Sequence, residues 1–162
     1  LDILAPDRPA AVEVDCRVVR VRERETIADP GIRFLIMMAV VVTRYPGTTA
    51  QAFYDEIAGR ISEDGLGVFV GIDETHRPAV LAIVMLPVGE AMMAPQVVLL
   101  YGTSRNPSLI KMTGTRVREW VKRHGYDRII GVNLWHDDEA FCRMFRHVGE
   151  TRVIGSLVEA RV

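Results

Sequence analysis

The stretch VVLLYGTSRNPSLIKMTGTRVREW, from Val97 to Trp120, passes from an apolar run through a polar loop into a basic, helix-forming segment. Such a junction is a seat for phosphate, because free backbone N–H groups and the helix dipole converge at a helix N-terminus. Ser104, Arg105 and Ser108 supply hydroxyl and guanidinium donors there, with Lys111 close behind. Pro107 has no N–H to offer, a loss that is harmless if it occupies the first helical turn. The same letters also read as a capped helix start with an exposed arginine.

Other chemistry is sparser. Four scattered histidines and no CxxC pair argue against a structural zinc site. Cys16 and Cys142 stand far apart, which predicts free thiols in a reducing, cytoplasmic setting. Arg20, Arg22 and Arg24 alternate with Val19 and Val21, either a phosphate track or a solvated edge that discourages aggregation. With 20 basic and 21 acidic residues the chain is nearly neutral and has no aromatic platform, so nucleic acid is not the expected partner. The longest apolar run, Phe34 to Val42, is about half the ~20 residues that cross a bilayer. No charged-then-apolar signal sequence is visible.

The elements that must position these groups follow from periodicity. The 162 residues are expected to form one domain, with an irregular arm over 1–10. CRVVRVRERET alternates and predicts a strand with one wet face. Asp29 before Pro30 opens a helix through an almost unbroken apolar run, which predicts burial on most sides. Thr48 and Gln51 fit a capping box for a helix with Ala50, Phe53, Tyr54, Ile57 and Ile61 on one stripe, ended by Gly65. LGVFVGI and AVLAIVML, separated by DETHRP, predict a hairpin, and QVVLLY a third strand. From Ser108 to His124 a helix turns Leu109, Met112, Thr113, Val117, Trp120 and Val121 inward, and stops at Gly125. DRIIGVNLW reads as a strand, DDEAFCRMFRHVG as a short helix ended by Gly149, and the remainder as a last strand or pair. A hairpin demands antiparallel pairing and a strand–helix–strand unit demands parallel pairing. The expected fold is therefore α/β in the mixed (α+β) sense, one central sheet with helices on both faces.

That order resembles the GNAT N-acetyltransferase superfamily over nearly the whole chain. The most specific local likeness is AFCRMFRHVGE after RIIGVNLW, where Ala140, Phe145 and Gly149 match the spacing of the family's short-helix pattern A-x-x-x-x-Y-x-x-x-G-F. REWVKRHGYDRIIGV resembles the family's long helix, glycine stop and following strand. The resemblance implies acetyl-CoA held between two splayed parallel strands, here QVVLLY and RIIGVNLW. Leu100, Tyr101 and Asn133 would line the gap, and Ser104, Arg105 and Ser108 would meet the phosphates. It also implies a bulged strand whose N–H faces the thioester carbonyl, and a base, Glu90 or His136, that takes a proton from a small amine, a protein N-terminus or a lysine.

The chain departs from the family pattern at three places. No frame of GTSRNPSLIKMTG supplies the loop [QR]-x-x-G-x-[GA], Phe145 stands where a tyrosine would protonate the departing thiolate, and Glu150 follows Gly149 in place of an aromatic. Two readings follow. One is an acyl-CoA N-acyltransferase with a degenerate cofactor loop. The other is a non-catalytic scaffold making protein–protein contacts, for example in a phage particle, since small phage-encoded chains resemble this shape.

Overall fold

A computed structural model describes residues 17–89, 94–102, 107–132, 142–143, 145–154 and 157–162. Among these, seven strands form one sheet: β1 (Arg17–Val21), β2 (Leu66–Ile72), β3 (Pro78–Met85), β4 (Gln96–Gly102), β5 (Arg128–Val132), β6 (Glu150–Ile154) and β7 (Leu157–Arg161). Their spatial order is β1-β2-β3-β4-β5-β7-β6, antiparallel throughout except for the parallel pair β4–β5. Helices α1 (Arg24–Ile27), α2 (Pro30–Val42) and α3 (Ala50–Arg60) separate β1 from β2, and α4 (Pro107–Arg123) joins β4 to β5. The mixed sheet with helices on both faces is the architecture expected from the sequence.

Alternation along the strands sorts the core into two layers. Leu66, Val68, Val70 and Ile72 of β2 point to the α1–α3 side, with Leu81, Ile83 and Leu99. Phe69, Ala82, Val84 and Val97 point to the other side, where α4 packs with Val117, Trp120 and Val121. Two glycines let α4 approach. A Cβ on Gly71 would stand 3.0 Å from Leu109 and the Thr113 hydroxyl, and one on Gly67 would stand 3.2 Å from the Trp120 ring.

Local chemistry explains where the helices begin, and it corrects several expectations. Asp29 accepts from the Gly31 and Ile32 N–H groups at 2.9 and 3.1 Å, and Pro30 follows as the first helical residue. The cap of α3 is Thr49, not Thr48: its hydroxyl accepts from the Ala52 N–H at 3.1 Å. Gln51 instead bonds to Asp55 and accepts from Arg33. That helix ends at Arg60, well before Gly65. The alternating run stops at Val21, and Arg24 opens a helix instead of extending the strand. The wet face of β1 is also partly covered, because Arg20 lies over the Trp120 ring at 5.1 Å. The outer side of α2 is less buried than its composition predicts, with Phe34 65 % and Val41 62 % exposed. Met112, expected inward on α4, is 38 % exposed. Gly125, with φ at +83°, stops α4 as expected. Cys142 is a free thiol; Cys16 and the arm over 1–10 lie outside the described residues. No helix among the described residues is long and apolar enough to cross a membrane.

Candidate active site

The parallel pair is short. Gln96 pairs with Ile130 and Val97 with Gly131, and the Ile130 N–H donates to the Pro95 carbonyl at 2.8 Å. Val98 and Val132 come next in register and are not paired, although β4 runs on to Gly102. β5 stays with β7 through Val132 and Leu157, so the sheet parts between β4 and β5. The parting begins at Val98, earlier than the expected position near Tyr101 and Asn133.

A bulge coincides with the parting. On the β3 side the register steps from Ile83 opposite Leu99 to Val84 opposite Val97, leaving Val98 as the extra residue. Val98 and Leu99 therefore both pack toward α1–α3, while Val97 and Leu100 pack toward α4. Val98 has a register partner on neither neighbouring strand. Nothing in the run Val97–Leu100 announces this, because all four residues are apolar and both faces of β4 are covered.

On the α4 side, Val97 and Leu100 floor a groove between Ile110, Gly114 and Val117 of α4 and Val148 beyond β5. Its free space is only ≈ 10 Å³, about one water centre. Gly114 is the reason α4 and the 145–148 turn meet: a Cβ there would lie 2.7 Å from the His147 backbone. Thr113 spends its hydroxyl on the Leu109 carbonyl at 2.9 Å. The described walls thus offer apolar surface and backbone, with no titratable side chain. The groups held away from their usual ranges, Arg20, Tyr45, Arg60 and Asp73, do not line it.

A seven-stranded sheet that opens between strands four and five is a specific topology, and known structures superpose on most of the chain that forms it. An acetyltransferase of the GNAT family from Streptococcus pneumoniae superposes with a TM-score of 0.62 at 10% identity, covering 91% of this chain and 100% of that one. A GNAT superfamily phosphinothricin acetyltransferase from Sinorhizobium meliloti, in complex with acetyl-CoA, gives 0.61 at 13%, covering 91% and 88%. The chain has the GNAT fold. No protein-family model and no curated protein matches its sequence.

Within the GNAT fold the expected site residues divide into two sets. Leu100 lines the groove. Tyr101 follows it on the opposite face, its side chain buried in the α1–α3 layer. Ser108 is the second residue of α4 and is exposed, and Pro107 is the first, where its missing N–H costs nothing. Glu90, Ser104, Arg105, Asn133 and His136 lie outside the described residues. Lys111, read from the sequence as a neighbour of the phosphate loop, lines a separate cleft toward β1. Phe145, at the spacing of the family's tyrosine, is fully buried with Trp120, Val117 and Ile129. Glu150 is exposed at the start of β6, opposite Arg161, so the charge after Gly149 sits in solvent.

Proposed function

We propose that the chain is an acetyl-CoA-dependent N-acetyltransferase acting on a small amine, a protein N-terminus or a lysine. The observation that carries this is the unpartnered bulge at Val98 where β4 and β5 part. From Val98 onward the backbone of β4 has no ladder partner on β5, and buried backbone groups call for one. An extended arm bearing amides fits there, because an open strand edge pairs with such a chain as it would with another strand.

Acetyl-CoA, when bound, supplies an activated acetyl thioester. Backbone groups of residues 98–102 on the open side of β4 would bind and orient its amide-bearing arm, and Leu100 would contact it. The Val98 N–H would polarise the carbonyl under attack, an interaction that strengthens as negative charge develops. Ser104, Arg105 and Ser108, at the entry to α4, would hold phosphate oxygens, aided by the helix dipole. Glu90 or His136 would remove the proton from the attacking ammonium, and Asn133 would orient a water. Phe145 has no proton to give, so the departing thiolate is expected to take its proton from solvent.

Calorimetric titration with acetyl-CoA, followed by thiol release with simple amines, tests the reading. Saturable heat at micromolar ligand and amine-dependent thiol release are the expected results. A flat titration in the high-micromolar range would remove the cofactor and the proposal with it. A non-catalytic scaffold is the second reading, and the buried Phe145 favours it; a chain that ignores acetyl-CoA yet forms a defined assembly in light scattering is its signature.

A further inference from the structure

Between β1 and α4, on the flank of α4 turned away from the β4–β5 gap, lies a cleft of ≈ 420 Å³. That volume falls in the ~300–1,000 Å³ range of small-molecule sites. Val18 and Met112 give it apolar surface, and Arg17, Lys111 and Arg116 bring three cations, with Thr115 as a further donor. No acidic residue is among the described residues that line it. Arg116 reaches Glu119 only at 3.7 Å, both side chains half in solvent, a pairing of small worth. Arg17 and Lys111 make no ion pair among the described residues.

The excess of positive charge is local, because the whole chain carries a net charge of −1. It continues along the same edge, where burial, and then the nearby Arg22 and Arg123, hold the Arg20 guanidinium below its usual range against the pull of Asp64. The cleft on the other side of Arg17 differs in kind, since Glu25, Asp29 and His76 share its lining. Three cations beside an apolar bed repel one another, and an anion carrying hydrocarbon satisfies both surfaces at once.

We propose that this cleft is a second ligand site, distinct from the β4–β5 gap, for a small amphiphilic anion: an alkyl chain ending in a carboxylate or phosphate. The chain rests on Val18 and Met112, and the anionic oxygens face Arg17, Lys111, Arg116 and the Thr115 hydroxyl. Because α4 walls both this cleft and the groove at Gly114, an occupant here touches the helix that borders the catalytic gap.

Octyl phosphate and inorganic phosphate serve as probes by calorimetry, with circular dichroism confirming that each variant is folded. Octyl phosphate is expected to bind at least about tenfold more tightly than inorganic phosphate. Lys111→Glu and Met112→Asp should each weaken it about tenfold or more, and Lys111→Gln by less. Added salt should weaken the wild-type interaction. Equal affinity for the two probes, unchanged affinity in Lys111→Glu, displacement of octyl phosphate by acetyl-CoA, or no heat with millimolar octyl phosphate would each overturn the assignment. None of these outcomes depends on whether the chain transfers acetyl groups.

Discussion

Val98 carries the proposed chemistry through its backbone, so the informative substitution is one that removes an N–H and little else. Within sheets, bulges are among the places where proline is tolerated. Val98→Pro is therefore expected to fold, with a melting temperature near that of the wild type, and to lose acetyl transfer by roughly 10²–10³-fold in kcat. Retained turnover would place carbonyl polarisation elsewhere. Asp73 offers a second test, in the turn between β2 and β3. Its carboxylate lies below the ordinary range chiefly because the Thr75 hydroxyl donates to it at 2.7 Å, with the Arg77 and Thr75 N–H groups at 3.0 and 2.9 Å. A carboxyl whose folded pKa is depressed stabilises the fold above its unfolded pKa and loses that contribution as pH falls through the folded value. The melting-temperature advantage of the wild type over Asp73→Ala should thus be full at neutral pH and shrink below about pH 4. At this scale the sequence was legible where one side chain decides: Asp29 as a cap, Pro107 at a first turn, Phe145 as a residue without a proton. It was silent on Val98, whose role lies in a register no side chain encodes.

Elements were legible where pattern and length agree. LGVFVGI became β2 with the expected limits, and QVVLLY became β4 with one residue added. The run after Val21 misled because, although β2 continues past Val68 to Leu66, the chain turns into α1, where the Ile27 N–H donates to the Glu23 carbonyl at 3.0 Å and Ile27 is buried. The α2 segment misled in the other direction, since apolar composition does not say how many neighbours a helix has. Its inner residues Leu35, Ile36 and Ala39 are buried while Phe34 is not. Gly114 shows how one missing methyl joins two elements. In an isolated helix Gly→Ala stabilises by about 1 kcal/mol. Here the added Cβ would meet the His147 backbone at 2.7 Å, and overpacking of that kind costs ~1–3 kcal/mol. Gly114→Ala should therefore lower stability in urea denaturation, opposite to the sign that helix propensity dictates. A stabilised variant would mean that the 145–148 turn gives way easily.

The whole sheet consists of two antiparallel blocks, β1–β4 and β5–β7–β6, joined by the two parallel pairs at Gln96 and Val97 and by the Ile130 to Pro95 bond. Helix α4 packs mainly over β1, β2 and β3, and Val117, Trp120 and Val121 also share a core with Val97 of β4 and Ile129 of β5. Wide pairing within blocks and little between them follows from building a cleft into a sheet: each ladder bond restored across the gap would close it. The sequence anticipated the mixed sheet, but not the narrowness of the join, because strand length is written in the chain and strand divergence is not. Cooperative units with fewer cross-contacts open at lower free energy. Native-state hydrogen exchange should therefore show β2 and β3 amides opening only with global unfolding, while β5 and β7 amides exchange through a smaller, sub-global opening. Acetyl-CoA, if it bridges the blocks, should raise the protection of β5 and of residues 98–102 toward that of β2. Uniform protection across both blocks without ligand would show that the join is mechanically stronger than two pairs suggest, and that the gap is a fixed feature of a single cooperative unit.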